Sequence, residues 1–321
     1  MKKILITGAL GQIGSELVHR LRDEYGLSNV VGTDIRHVDN EVTQSGPFEL
    51  LDVTDGKRMY DIAKQYEVDS VIHLAALLSS TAEGKPQLAW NLNMGGLVNG
   101  LEVARELQCQ FFAPSSIAAF GPGTPPDHTP QDTVQRPNTM YGVTKVAGEL
   151  LCDYYYHKFG VDTRSVRFPG LISHVALPGG GTTDYAVEIY YEAIKNRRYT
   201  SYIAAGTYMD MMYMPDALNA IVNLMEADAG RLKHRNAFNI TAMSVDPEDI
   251  AQSIRTAIPE FRMDYEVDGV RQAIADSWPN SLDISCAVEE WDFHAEYDLE
   301  RMTTDMLQHL QQKLGIHAAT K

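Results

Sequence analysis

Residues 4–14 read Ile4-Leu5-Ile6-Thr7-Gly8-Ala9-Leu10-Gly11-Gln12-Ile13-Gly14. The opening run Ile4-Leu5-Ile6 is apolar and short, as in a buried strand. From Ser15 to Arg22 the apolar residues, Leu17, Val18 and Leu21 among them, return at helical spacing. The three glycines therefore stand where a strand turns into a helix. There Gly8 permits the tight turn, Gly11 lets a dinucleotide pyrophosphate approach the backbone, and Gly14 allows close helix–sheet packing. The helix N-terminus receives the negative charge. Thr7, Gln12 and Ile13 lie in the same turn and join the glycines as candidate cofactor contacts.

Asp34 follows Gly14 by 20 residues and closes the strand-like run Val30-Val31-Gly32-Thr33. A carboxylate there accepts hydrogen bonds from adenosine ribose hydroxyls and repels a 2′-phosphate, which favours NAD over NADP. Arg36, two residues on, is the one feature that pulls the other way. The run Phe48-Glu49-Leu50-Leu51 ends in Asp52-Val53, where a carboxylate either meets the adenine amino group or serves as a turn residue. Ser70-Val71-Ile72-His73-Leu74 is the next buried strand, and Ala75-Ala76 at its end leave room for a cofactor against the backbone. His73 reads as a packed histidine. The predicted helix from Pro86 to Leu107 contains Asn93-Met94-Gly95-Gly96-Leu97-Val98-Asn99, a costly composition inside a helix. Buried side-chain hydrogen bonds and close packing are the expected offsets. Then Gln110-Phe111-Phe112-Ala113 forms a strand ending in Pro114-Ser115-Ser116, and Asp162 to Phe168 returns the chain to the sheet. Strand and helix patterns alternate throughout this part, which demands an α/β fold with a doubly wound parallel sheet.

Ser116 precedes Tyr141 by 25 residues, and Tyr141-Gly142-Val143-Thr144-Lys145 opens a helix that Asn138 or Thr139 can cap. Residues four apart lie on one helical face, so phenol and ammonium point the same way. An isolated tyrosine titrates near ~10; a lysine cation beside it favours the phenolate and equips it for acid–base work. A hydroxyl at the carboxyl end of a parallel strand, where such sheets bind ligands, can hold a substrate oxygen beside the tyrosine.

After Phe168 the pattern changes. Pro169-Gly170-Leu171-Ile172 turns the chain, Pro178 to Asp184 reads as a flexible polar loop, and a helix follows with Tyr185, Ile189 and Ile194 on its apolar face. Met211 to Met225 and Ala237 to Ile240 look like a return to the main sheet, while the end, with Trp278-Pro279 and Trp291, belongs to a smaller cap. The expected division is 1–168 plus 207–241 for the dinucleotide-binding domain and 169–206 plus 242–321 for the cap.

Lys+Arg of 27 against Asp+Glu of 43 gives a net charge of −16, which opposes nucleic-acid or anionic-membrane partners. The apolar run after Lys2-Lys3 ends at Thr7-Gly8, too short for a signal h-region or a membrane span, so a cytoplasmic location is expected. Cys109, Cys152 and Cys286 are widely spaced and read as free thiols. With histidines equally scattered, no metal site is expected.

Thr7-Gly8-x-x-Gly11-x-x-Gly14, Asn93-x-x-Gly96-x-x-Asn99, Ser116 and Tyr141-x-x-x-Lys145 together resemble the extended short-chain dehydrogenase/reductase family, the NAD-dependent epimerase/dehydratase-like type, along nearly the whole chain. The stretches Ala75-Ala76-Leu77-Leu78-Ser79, Gly179 to Ala186, Met212 to Ala217 and Asp276-Ser277-Trp278-Pro279 are similar to that family's L-threonine 3-dehydrogenases. The resemblance implies a Rossmann domain with a smaller α+β substrate-binding cap, and NAD as cofactor, with Leu74, Asn93 and Pro169 added to its contacts. It implies oxidation of the L-threonine 3-hydroxyl to 2-amino-3-oxobutyrate. Tyr141 would be the base, Lys145 would hold the phenolate and the nicotinamide ribose, and Ser116 would bind the reacting oxygen. Ser79, Thr182 and Asp184 would fix the substrate's ammonium and carboxylate, and Trp278 would help shut the pocket. The product would lose carbon dioxide or pass to a 2-amino-3-oxobutyrate CoA ligase, and a homodimer through helix packing is expected.

Two departures weigh against the nucleotide-sugar epimerases and dehydratases on this scaffold. Arg167-Phe168 is followed by Pro169-Gly170, where those relatives often carry an asparagine for the nucleotide diphosphate. Ile117 and Ala118 stand where dehydratases tend to place acids. A non-catalytic NAD-binding sensor is the other alternative, but such proteins usually lose the tyrosine or lysine, and both are present.

Overall fold

Ile4–Thr7 enters the middle of a six-stranded parallel sheet because its residues have no exposed face: all four are buried. The sheet order is Phe48–Leu50, Val30–Asp34, Ile4–Thr7, Ser70–His73, Gln110–Phe112, Thr163–Arg164. Thr7 pairs with Thr33 on one side and His73 on the other, so the chain's first two crossovers run to one edge and the later ones to the other. The order reverses at the carboxyl ends of Ile4–Thr7 and Ser70–His73, and a crevice must open there. The computed structural model describes residues 1–177 and 179–316. Pro178, the first residue of the expected polar loop, and residues 317–321 of the expected cap lie outside these.

Alternation along the central strand builds two cores. Ile4 and Ile6 pack on one face with Leu17, Val18 and Leu21 of the helix Gln12–Tyr25, while Leu5 joins Val31, Val71 and Phe111 on the other. A third core is separate. It joins Tyr185, Ile189 and Ile194 of the helix Tyr185–Asn196 to Ile250, Met302 and Leu310. Residues 284–295, grouped with the cap in the sequence division, instead send Ala287, Trp291 and Phe293 into the first core.

Two expectations need correction. Asp162 to Phe168 is not one strand. Thr163–Arg164 pairs with Phe111 and Phe112 at the edge of the main sheet, whereas Val166–Phe168 pairs with Ser115–Ser116 and Phe238–Asn239 in a small sheet of its own. The chain breaks at Ser165 between two buried guanidinium groups with separate duties. Arg164 donates to the carbonyls of Leu224 and Ala227 at 2.6 and 2.7 Å, satisfying a helix C-terminus. The second correction concerns Met211 to Met225 and Ala237 to Ile240, which do not rejoin the main sheet. Met209–Tyr213 pairs with Gly170–Ile172 and Met243–Val245, and Met214–Glu226 is a helix. Pro169 lies between the two small sheets, and having no N–H it cannot carry one ladder through into the next.

Asp210 lies in Met209–Tyr213 and is 1% exposed. It accepts the main-chain N–H of Leu282 at 2.7 Å, tying down the segment that follows Trp278. Burial pushes its pKa up to about 7, against opposing hydrogen bonds from Thr241 and Leu282. A carboxyl whose folded pKa exceeds its unfolded value stabilises fully below the unfolded pKa, and that contribution disappears as pH rises through 7. Asp210→Asn keeps an acceptor for Leu282 and removes the buried charge. Thermal melts from pH 5 to 8.5 should show the native protein losing several degrees that the variant keeps, and equal pH profiles would refute the assignment.

Candidate active site

The crevice at the strand-order reversal has two connected compartments. One is bordered by Gly8, Gly11, Asp34, Arg36, Asp52, Val53, Leu74, Ala75 and Ala76. The other continues from Gly8, Gly11, Gln12, Ile13 and Gly14 past Leu74 and Ala76. It ends among Ser116, Tyr141, Lys145 and Pro169, with Ser79, Thr182, Asp184 and Trp278 opposite.

Glycine is required at the turn. Gly8 has φ +71°, and a Cβ there would stand 2.8 Å from the main-chain nitrogen of Ala75. The residues present fit a dinucleotide: Gln12 Nε2 is buried with no partner among the described residues, a free donor beside the helix N-terminus. Asp34, 8% exposed, accepts the N–H of Leu10 at 3.2 Å with Oδ2 and that of Arg36 at 3.1 Å with Oδ1. Arg36 also turns its guanidinium onto Asp34 at 3.4 Å, so its charge is met within the protein, not held out for a 2′-phosphate. Asp52 accepts from Thr54 N–H and Oγ1, which hold its carboxyl below the usual range. It is thus a turn residue as well as a border of the adenosine compartment.

Two expected cofactor contacts make hydrogen bonds within the protein. Thr7 Oγ1 pairs with His73 Nδ1 at 2.9 Å and borders neither compartment. Asn93 accepts the N–H of Leu77 at 2.8 Å and donates to Leu77 O and Thr144 Oγ1. It pins the 74–78 loop, which borders both compartments, to the helix that carries Tyr141. Gly96 lets that packing close, since a Cβ would meet Val53 Cγ2 at 2.7 Å, whereas Gly95 faces open space. His73 is buried, and desolvation, helped by the Lys145 cation, lowers its pKa to about 3. It stays neutral and structural.

Thr139 caps the helix Met140–Phe159 by accepting Gly142 N–H at 3.1 Å, fixing where Tyr141 emerges. Lys145 Nζ lies 5.2 Å from the centre of the Tyr141 ring and donates to Pro114 O at 2.6 Å. One ammonium thereby joins the tyrosine helix to the strand end carrying Ser116. The Ser116 hydroxyl accepts Ala118 N–H at 3.2 Å, which leaves its own proton to donate. Across the cleft, Thr182 is 1% exposed with Oγ1 unpartnered among the described residues. Asp184 Oδ2 accepts the N–H groups of Gly180 and Gly181, and burial raises its pKa.

Sequence reasoning missed the support behind these groups. Glu149, one turn beyond Lys145, forms a bidentate pair with Arg167 at 3.0 and 2.9 Å, with the two side chains only 5% and 7% exposed. Glu149 also accepts from Ser115 Oγ and from Gln135 Nε2, and Arg167 donates to Gln131 O and Asn239 Oδ1. The expectation of scattered histidines and cysteines also needs correction: His174, Asp305 and His309 cluster in space, as do His234, Cys286 and Glu290. The three cysteines are free, Cys109 and Cys152 buried. Glu149→Gln leaves the buried Arg167 charge uncompensated and should cost roughly 3–5 kcal/mol in denaturant unfolding. A loss under about 1 kcal/mol would remove the pair from its supporting role.

The NAD dependent epimerase/dehydratase family matches residues 4–241. The chain is 68% identical to the L-threonine dehydrogenase of Clostridium difficile, with a TM-score of 0.97 and 99% of each chain covered. The L-threonine dehydrogenase of Phytophthora infestans is 48% identical with a TM-score of 0.94, over 97% of this chain and 100% of that one. A protein of Staphylococcus saprophyticus described as an uncharacterized epimerase/dehydratase is 60% identical over 314 residues, 98% of both chains. The cofactor is NAD, and the chain belongs to the NAD dependent epimerase/dehydratase family, on its extended short-chain dehydrogenase/reductase branch.

Proposed function

We propose that this protein oxidises the 3-hydroxyl of L-threonine, giving 2-amino-3-oxobutyrate and NADH. The observation that carries the proposal is one cleft holding Ser116, Tyr141 and Lys145 between the glycine turn and the Ser79, Thr182, Asp184 and Trp278 wall. Its likeness to solved L-threonine dehydrogenases supports the same substrate. Bound NAD supplies the hydride acceptor, and Gly8, Gln12, Asp34, Pro169 and their neighbours would hold it. Tyr141 as phenolate takes the hydroxyl proton while the C3–H bond gives up its electron pair. Lys145 holds the phenolate, and Ser116 donates to the reacting oxygen. Asp184 is the only carboxylate bordering this compartment among the described residues, so the substrate ammonium pairs with it. The Ser79 and Thr182 hydroxyls receive the carboxylate, and Trp278 covers the site. The 3-oxo acid formed is prone to lose carbon dioxide, or serves a partner 2-amino-3-oxobutyrate CoA ligase, in the cytoplasm.

A homodimer belongs to the same proposal. Val143, Leu150 and Tyr154 lie along one face of the Tyr141 helix at 40%, 63% and 51% exposure, and Leu88 and Trp90 are exposed on the helix Pro86–Leu107 that packs against it. Such a stripe is best buried against a second copy. Among the described residues no helix is long and apolar enough to cross a membrane.

With NAD present, L-threonine should produce NADH absorbance while D-threonine, L-serine and UDP-glucose do not, and turnover confined to another substrate would overturn the proposal. Tyr141→Phe should lower kcat by ~10²–10⁴ with NAD affinity nearly unchanged in a fluorescence titration. A variant that remains active would remove Tyr141 as the base. Leu150→Glu should convert a dimer to a monomer by light scattering, and a native monomer would refute the dimer.

A further inference from the structure

Away from the cleft, Asp132, His234, Cys286 and Glu290 converge from three segments: the 121–138 loop, the stretch after Met214–Glu226, and the helix Ser285–Trp291. Glu290 is buried. Its Oε2 accepts the N–H groups of Lys233 and His234 at 2.5 and 3.0 Å, and its Oε1 faces His234 Nδ1. An Nδ1–H donated to a buried carboxylate leaves Nε2 as the lone-pair nitrogen on the other side of the ring. On that side stand Cys286 Sγ at 4.0 Å and Asp132 Oδ2 at 3.5 Å. A carboxylate oxygen and an imidazole lone pair so close repel unless a cation lies between them. Tetrahedral zinc bond lengths place N and S ligand atoms ~3.6 Å apart and N and O atoms ~3.3 Å apart, close to the two separations from Nε2, and the exposed Asp132 side chain is free to swing toward Cys286 and complete the set. Asp283 and Glu289 add negative charge near the thiol, which a dication would relieve.

We propose that Asp132, His234 and Cys286 bind a zinc-class divalent cation, with Glu290 orienting the imidazole and water in the remaining position. The second cluster, His174, Asp305 and His309, makes a poorer site. Its two imidazoles stack at 4.2 Å and 20°, so their lone pairs run side by side, and Lys313 lies beside them. The Asp132 site fastens the loop leading into the Tyr141 helix to the helix carrying Cys286. Gln131, next to Asp132, accepts from Arg167 and donates to Ala237 O, so the cation stiffens the outer end of the buried Glu149 network. Its role is structural, and the site is independent of which substrate the cleft takes.

The test uses Co²⁺ as a spectroscopic probe and Zn²⁺ as competitor on the full chain, kept reduced. Cys109 and Cys152 are buried, so a thiolate-to-cobalt charge-transfer band reports Cys286. The native protein should develop that band at one equivalent, lose it to Zn²⁺, and melt at a higher temperature with Zn²⁺. Cys286→Ser should show no band, and both it and the exposed Asp132→Asn should bind Zn²⁺ at least tenfold more weakly by calorimetry while melting like the native protein without metal. A native protein with no band, or Zn²⁺ binding unchanged in both variants, would overturn the proposal.

Discussion

The buried pair Glu149–Arg167 is the constraint on which the rest of the catalytic side depends. Each charge alone would cost several kcal/mol in this setting, and both are tolerable because every polar atom has a partner. The partners matter more than the pair. Ser115 stands next to Ser116, Gln135 and Gln131 lie in the loop that enters the Tyr141 helix, and Asn239 belongs to the small sheet beside Phe168. One buried network therefore fixes the mutual position of the strand end, the helix and the loop. Hydrogen-bond reach between a base and a substrate hydroxyl tolerates little error, so this rigidity is what converts three side chains into a site.

The acidic chain concentrates its few useful cations where they act inside the protein. Arg36 is spent on Asp34, Arg167 on Glu149, and Lys145 on the Pro114 carbonyl beneath the tyrosine ring. The pyrophosphate is thus left to backbone N–H groups and the helix N-terminus, supplemented by Gln12, with no side-chain cation in the glycine turn. That division explains how a protein of net charge −16 can bind a dianionic pyrophosphate: local dipoles outweigh a distant and screened field.

The parts of this fold that are legible in sequence are those written in local pattern. The glycine turn, the parallel strands, the Pro86–Leu107 helix and the Thr139 cap follow from periodicity and capping chemistry, and they stand as expected. Where the outcome depended on pairing at a distance, local pattern failed. Asp162 to Phe168 looks like one strand because Arg164 and Arg167 do not reveal that each serves a different carbonyl set. Glu149 is an unremarked helix acid until Arg167 arrives from 18 residues away, and Asp132, His234 and Cys286 have no shared spacing at all.

The loop that carries Thr182 and Asp184 is tied down at its root. Ser173, fully buried, donates to Glu16 at 2.5 Å, and Glu16 sits on the same helix whose first turn faces the pyrophosphate. His174 follows, pairing with the Tyr213 hydroxyl at 2.7 Å, which in turn donates to Asp305 on the last helix. Lys313 from that helix holds the carbonyls of His174 and Val175 at 3.1 and 2.7 Å. The loop that carries Thr182 and Asp184 is therefore anchored at its root to both the nucleotide side and the cap. Burial pushes the Glu16 pKa up to about 6, so this carboxylate is still mostly ionised at neutral pH and takes up a proton only as the pH falls below that. Ser173 is thus one direct link between the glycine-turn helix and the loop that carries Thr182 and Asp184.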